Sequence, residues 1–349
     1  MRLSPTYGKI EAMAVRIAIN GFGRIGRTFF KQAVKLPDFE IVAINDLGGI
    51  ENLAYLLQHD SVYGPWLEAV GYSQDELLVA GKKIKVLKEK DPAKLPWGDL
   101  NIDVVLECTG AFESHDQAEA HLHAGARRVV ITASPHDTVT PVFTPNVGED
   151  SFDPKDKITS NGSCTTNAVT PLMKILDQEI GIAKSMLATV HGYTASQSLV
   201  DGPDKQDDFR RGRAGGANIV PYGTGAAVSA TRAYPALVRK FDGLSFRVPV
   251  FSGSIIDFTW LAKRPTSMEE VNSIIKQAAA QPEWQGILTF TEEPLVSSDI
   301  LGNPHGSIVD LGLTRVVAGD LVKVCSWYDN EWGYVAMLVK HVKAVSKLL

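Results

Sequence analysis

With 349 residues, 44% of them apolar and 21% charged, the chain is too long for one ordinary core and reads as two soluble globular domains, which excludes fibrous and disordered classes. Its 40 acidic and 35 basic side chains leave a formal charge of −5, which excludes a general nucleic-acid binder. No apolar run approaches the ~20 residues that span a bilayer, and three cysteines are too few for a disulfide framework, so a reducing, cytoplasmic setting is expected.

Residues 1–13, ending at a second methionine, carry no periodic pattern and no apolar signal segment, and read as a flexible N-terminal extension. From Val15 the pattern becomes regular. VRIAI (Val15 to Ile19) is a β-rich run, and GFGRIGRTFFKQAVK turns into a helix. EIVAIND (Glu40 to Asp46) is a second strand and NLAYLLQH the next helix. DVVLECTG and RRVVITA are two more buried strands, separated by the helical AFESHDQAEAHLHAG. Its histidines His115, His121 and His123 read as surface residues. Strands alternating with helices imply βαβ units and a parallel sheet over residues 14–163.

The texture changes after Asn161. SCTTNAVTPLMKILDQEIG reads as a helix with Val169, Leu172 and Leu176 on one face, stopping at Gly181. The alternating runs SMLATVHGYT, LSFRVPV, IIDFTWLA and LVKVCSWY predict a largely antiparallel sheet in an α+β domain over 164–330. A Gly/Arg/Asp-rich loop, Asp201 to Gly216, has the length of a functional loop. The final segment, NEWGYVAMLVKHVKAVSKLL, is amphipathic, with Val335, Leu338, Val339, Val342 and Val345 on one face.

Gly21, Gly23 and Gly26 form G-x-G-x-x-G between a strand and a helix, the fingerprint of a Rossmann-type dinucleotide site. The first glycine allows the tight turn, the second lets backbone approach a pyrophosphate, and the third lets helix pack on strand. Asp46 ends the second strand twenty residues beyond Gly26, the spacing expected for the carboxylate that accepts ribose hydroxyls. Such a carboxylate repels a 2′-phosphate, so NAD is preferred over NADP, although Gly48 and Gly49 could relax that exclusion.

Cys164 begins a predicted helix and is flanked by Ser163, Thr165, Thr166 and Asn167, where the helix dipole lowers a thiol pKa. It reads either as a nucleophile or as a small capping residue. Cys108 and Cys325 lie in apolar strands and read as inert core. His191 ends an apolar run and is open to a structural or a catalytic reading. Arg210-Arg211-Gly212-Arg213 is either a solvated loop or, with Thr224 and Gly225 just beyond, a phosphate site.

The segments NGFGRIGR, GSCTTN (Gly162 to Asn167), HGYT, RRGRAG, TGAA (Thr224 to Ala227), FRVP (Phe246 to Pro249) and WYDNEWGY (Trp327 to Tyr334) resemble, in order, those of the glyceraldehyde-3-phosphate dehydrogenases. The resemblance runs from about Val15 to the C-terminus. It implies that Cys164 attacks the aldehyde, that His191 raises its reactivity and takes the hydroxyl proton, and that inorganic phosphate cleaves the thioester. It further implies Thr194 and Arg247 for the substrate phosphate, Ser163, Thr165, Thr224 and Gly225 for inorganic phosphate, and Arg211 close to both. Arg24 and Ile25 would contact the pyrophosphate, Asn330 the nicotinamide amide, and Thr109, Thr132 and Tyr334 would line the cofactor cleft.

No metal is implied. A homotetramer is implied, with Asp201 to Gly216 shaping a neighbour's cofactor site and the C-terminal helix, 331–349, completing the nucleotide domain. Some positions depart from the family pattern: Gly162 for alanine, Tyr222-Gly223 for two small hydroxyl residues, a loop one residue longer before Arg210, and TPNVGE at Thr144 to Glu149. Two other readings remain open, oxidation of erythrose 4-phosphate on the same fold and a non-catalytic NAD- or RNA-binding role.

Overall fold

Residues 14–149, 152–204 and 208–349 are described by the computed structural model; the extension expected over 1–13 lies outside them, as does part of the Asp201 to Gly216 loop. The first sheet is built on β1 (Val15–Asn20), whose last four residues are all buried. A strand covered on both faces is what a parallel α/β layer requires. Its neighbours are β2 (Phe39–Asn45) and β6 (Val104–Glu107), followed outward by β7 (Arg128–Ile131) and β8 (Ile158–Ser160), every pairing parallel. On the other side of β2, the parallel neighbour β5 (Lys82–Leu87) continues into an antiparallel meander with β4 (Glu76–Val79) and β3 (Val70–Tyr72). The sequence reading passed over this meander.

Helices α1 (Arg24–Ala33), α2 (Ile50–Gln58) and α3 (His115–His123) connect the strands. One expectation is corrected here: His121 is fully buried rather than on the surface, while His123 is exposed and His115 lies between. The indole of Trp97 and the carboxylate of Glu107, both distant in sequence, close over the His121 ring.

The second sheet has the order β10 (Val220–Gly223), β11 (Phe241–Val248), β9 (Ile182–Gly192), β12 (Ser254–Ala262), β15 (Leu321–Tyr328), β14 (Ser307–Val317) and β13 (Leu288–Thr291). It is mostly antiparallel; β9 with β11 and β13 with β14 are parallel. Helices α4 (Cys164–Glu179), α5 (Ala226–Ala233) and α6 (Met268–Ala280) share a core with one face of it, through residues such as Leu172, Ala230, Ile275, Ile256 and Phe258. Strand register puts Met186, Val190, Leu244, Val317 and Leu321 together on the opposite face, where all five are exposed.

The last helix, α7 (Trp332–Ser346), packs against α1 and shares the core of the first sheet: Val335, Leu338 and Val342 cluster with Ile17, Phe29 and Phe30. Chain connectivity thus brings β1 and α7 to one layer, and a cleft lies between it and the second sheet.

Candidate active site

Three helix N-termini meet at this cleft, a cavity of about 800 Å³. They are those of α1 at Gly23, α4 at Ser163 and α5 at Gly225. Each leaves backbone N–H groups without intrahelical acceptors and a partial positive charge, the ready-made environment for anions. Neither Gly23 nor Gly225 supplies a side-chain cap, although at α5 Thr224 Oγ1 accepts the Ala226 N–H.

The start of α4 is locked. The side chains of Ser163 and Thr166 cap one another's backbone in a capping box, an arrangement worth about 1 kcal/mol. Gly162, just before it, has φ of 64°, and a Cβ there would come within 2.9 Å of the Thr166 side chain. Glycine at this position therefore fits the turn rather than loosening it, and Cys164 is presented as the first helical residue.

His191 arrives from the end of β9, with its Nε2 3.2 Å from the Sγ of Cys164. Two groups lie 2.5 Å from its Nδ1, the carbonyl oxygen of Gly192 and Nη1 of Arg247. In the tautomer whose Nδ1–H donates to the Gly192 carbonyl, which also accepts from Arg247 at 3.3 Å, Nε2 turns a lone pair toward the thiol. Burial, and secondarily the charge of Arg247, push the His191 pKa down to about 3. Burial also pushes the Cys164 thiol up, against the pull of Arg247 and of the Thr165 backbone N–H. Desolvation thus works against the dipole at this thiol, and the imidazole beside it is placed to accept its proton.

The opposite wall of this cavity is assembled from the second sheet and its loops. Arg247 faces His191 across the β9–β11 pair. Thr194 lines the cavity, its Oγ 2.9 Å from that of Ser196. Arg211 reaches the same cavity from the long loop, within 3.5 Å of Asp204. Thr224 accepts the Ala226 N–H at 3.1 Å, fixing the entry to α5 beside Gly225. Ser163 and Thr165 complete the ring, Thr165 held at 2.9 Å by the Tyr328 hydroxyl. Two arginines, several hydroxyls and two helix N-termini around one thiol can hold two anions at once.

The cofactor side adjoins it. A second cavity of about 420 Å³ shares Gly23, Cys108 and Thr109 with the first and is also lined by Gly21 and Asp46. Gly21 has φ of 93°, and a Cβ there would lie 2.7 Å from the Cys108 backbone. Gly26 lines neither cavity; a Cβ on it would meet the Gly21 carbonyl oxygen at 2.2 Å, so it serves the packing of α1 on β1. A Cβ on Gly23 would meet nothing within 4 Å, which leaves the backbone open to a large ligand.

Asp46 accepts the N–H groups of Phe22 at 2.7 Å and Gly48 at 2.8 Å, and a carboxylate retains further acceptor capacity for hydroxyls. Asn330 accepts on Oδ1 from Ser252, Gly253 and Ser254, so its Nδ2 donor is left for an amide carbonyl. Thr132 donates to the Glu107 carbonyl, and Tyr334 donates to the carbonyl of Gly162 at 3.2 Å. Ile25 lines the first cavity. The Arg24 guanidinium pairs with Glu331 and with Asp60, leaving its main-chain N–H to the helix terminus. These donors and open glycines fit a dinucleotide.

Residues 15–115 match the family described as glyceraldehyde 3-phosphate dehydrogenase, NAD binding domain, and residues 163–330 match its C-terminal domain. A glyceraldehyde-3-phosphate dehydrogenase of Mycobacterium avium is 46% identical over 344 residues, 97% of this chain and 100% of the relative. Glyceraldehyde-3-phosphate dehydrogenase 2 of Streptomyces avermitilis is 45% identical over 94% of this chain and 97% of its own length, and the Zymomonas mobilis enzyme 42% over 97% and 100%. The chain belongs to the glyceraldehyde-3-phosphate dehydrogenase family.

In this member of the family the cleft also holds residues that sequence reasoning did not single out. Glu113 and His136 approach within 3.2 Å at its wall, Ser245 projects from β11, and Glu331 anchors Arg24; Tyr222, noted in the sequence only as a departure from the family pattern, projects from β10. Tyr328, inside the quoted WYDNEWGY segment, bridges Thr165 and Thr189 and meets the His191 ring edge-on at 6.0 Å. Burial raises the thiols of Cys108 to about 12 and Cys325 to about 11, in keeping with inert residues, although Cys108 touches both cavities. Among the described residues no cluster of His, Cys, Asp or Glu is placed to hold a metal ion, and no helix is long and apolar enough to cross a membrane.

Proposed function

We propose that the chain catalyses the phosphorylating oxidation of D-glyceraldehyde 3-phosphate to 1,3-bisphosphoglycerate, with Cys164 and His191 as its catalytic residues. The observation that carries this reading is the 3.2 Å approach of His191 Nε2 to Cys164 Sγ in a cleft rich in anion-binding groups. Sγ forms a bond to the aldehyde carbon while His191 takes the thiol proton and passes it to the carbonyl oxygen, giving a thiohemiacetal beside a neutral imidazole. His191 then takes the hydroxyl proton as that carbon is oxidised to the thioester. NAD, when bound, supplies the hydride acceptor. Inorganic phosphate attacks the thioester carbon, the acyl phosphate forms, and the sulfur is released to be reprotonated.

Each residue of the ring then has a task. Thr194 and Arg247 hold the substrate phosphate, Ser163, Thr165, Thr224 and Gly225 the inorganic phosphate, and Arg211 serves both. Gly21, Gly23, Arg24 and Ile25 carry the pyrophosphate, Asp46 the ribose, and Asn330, with Thr109, Thr132 and Tyr334, the nicotinamide end. The exposed apolar face of the second sheet, together with Leu199 (88% exposed) just before the long loop and Phe209 (90% exposed) on it, supports a homotetramer. The three free cysteines suit the reducing cytoplasm.

The deciding experiment is NADH formation at 340 nm with glyceraldehyde 3-phosphate and NAD, with and without inorganic phosphate. Turnover that requires phosphate is expected. Phosphate-independent turnover would refute phosphorolysis, and activity confined to erythrose 4-phosphate would replace the substrate.

A further inference from the structure

We propose that Tyr222 is a positioning residue that gathers Arg211 and Arg247 into one phosphate-binding pair; the inference rests on, and deepens, the reading of the preceding section. In the antiparallel β10–β11 pair, Tyr222 stands opposite Ser245 and Val220 opposite Arg247. Side chains two residues apart share a face, so Tyr222 is the diagonal neighbour of Arg247 on the face that carries His191. Its half-buried side chain lines the catalytic cavity. The guanidinium carbons of Arg211 and Arg247 each lie 5.3 Å from the centroid of its ring. That is within the range of a cation–π contact for both.

The physical need for such a residue is plain. Two guanidinium groups aimed at one anion repel each other before the anion arrives. Arg247 is carried by a strand, but Arg211 comes from a loop with glycines at 212, 215 and 216, which gives its position no support from regular secondary structure. An aromatic face offers both cations a negative surface without adding a formal charge that would itself compete with phosphate. Preorganisation of this kind lowers the ordering cost of binding and so raises affinity for phosphorylated ligands. The contact uses the ring face, so the hydroxyl is dispensable.

The test compares Tyr222→Phe and Tyr222→Ala with the unaltered protein. Protection of Cys164 from iodoacetamide by inorganic phosphate gives a binding constant that needs no turnover; KM values for glyceraldehyde 3-phosphate, phosphate and NAD are measured alongside. Tyr222→Ala is expected to weaken phosphate protection about tenfold and to raise both phosphate-ligand KM values similarly, with the NAD KM within twofold. Tyr222→Phe, which keeps the ring, is expected to stay within twofold of the unaltered protein throughout. Should Tyr222→Ala lower Tm by more than a few degrees, Tyr222→Leu, with bulk but no π face, takes its place.

Unchanged phosphate protection in Tyr222→Ala overturns the proposal. So does an equal loss in Tyr222→Phe, which would assign the effect to the hydroxyl, or a parallel rise in the NAD KM, which would make it a general structural effect. If the unaltered protein binds phosphate but turns over no triose phosphate, the function fails while the protection assay still judges Tyr222. If it does not bind phosphate at all, both fall.

Discussion

Trp97 donates its indole N–H to Nδ1 of His121 at 3.0 Å, and this bond decides the state of a polar cluster beneath the cofactor cleft. An indole nitrogen can only donate, so Nδ1 is the acceptor and Nε2 carries the proton. Nε2 lies 3.0 Å from the Glu107 carboxylate, which also receives the Asn20 amide at 2.6 Å and the Thr109 backbone N–H at 2.8 Å. The Thr109 hydroxyl donates to it as well. A buried carboxylate without a guanidinium or ammonium partner is tolerated because these donors surround it. The same donors tie Thr109, a residue of both cavities, to the interior of the first sheet.

Replacing His121 by leucine removes a donor from that carboxylate and an acceptor from Trp97. The expected loss is about 2–4 kcal/mol, since a buried charged group is left under-solvated. Thermal unfolding checks this, and the KM for NAD is expected to rise severalfold as Thr109 loosens. A Tm equal to that of the unaltered protein would show that the cluster carries no stability.

Cys164→Ser keeps shape and hydrogen bonding but replaces a thiol by a far weaker nucleophile. Turnover is expected to vanish while NAD affinity, measured by fluorescence titration, stays nearly the same. Substantial residual turnover would rule out the covalent route.

Asp46→Ala removes a carboxylate that lines the 420 Å³ cavity. The ratio of kcat/KM for NAD over NADP is expected to narrow by about tenfold or more, in line with the loss of a charge that repels a 2′-phosphate. An unchanged ratio would move the discrimination elsewhere.

His341 lies buried under β8, accepting from Thr159 at 2.9 Å and donating to the Phe143 carbonyl at 3.2 Å. Burial pushes its pKa down to about 3. In the unfolded chain it titrates near ~6.5, so below that pH the unfolded state holds a proton that the native state takes up only near pH 3. Stability is therefore complete above pH ~6.5 and falls on acidification by about 1.4 kcal/mol per pH unit from this group. His191 contributes in the same direction. Tm followed from pH 7.5 to 4.5 is expected to decline less steeply in His341→Gln than in the unaltered protein; identical slopes would contradict the assignment.

The parts of the fold that are legible in the sequence are those with local signatures. β1, its glycine turn and β2 ending beside Asp46 announce themselves because backbone conformation, burial and ligand chemistry all act within about thirty residues. Cys164 and His191 are likewise found on short motifs, although only the fold brings them to 3.2 Å. The meander β3–β5 escapes notice because β3 and β4 are short, β5 is lysine-rich, and the three bury few side chains. His121 is misread because its helix is polar along its length; the groups that bury it, Trp97 and Glu107, lie on other elements. Tyr222 shows in a linear reading only as a departure from the family pattern, since its role depends on which arginines the sheet register sets beside it.

Helix α7 has a consequence for the order in which the protein is made. The strands of the first sheet are complete at Ser160, but the helix that shares their core begins about 170 residues later. At ~5–20 residues per second, the ribosome needs roughly ten to thirty seconds to deliver it. During that interval Phe29, Phe30 and their neighbours lack part of their native cover, and the nascent nucleotide-binding layer is exposed to aggregation and to chaperones. The second sheet is synthesised entirely within this window. The first sheet cannot finish alone, and its last step closes the chain's final helix over its first strand.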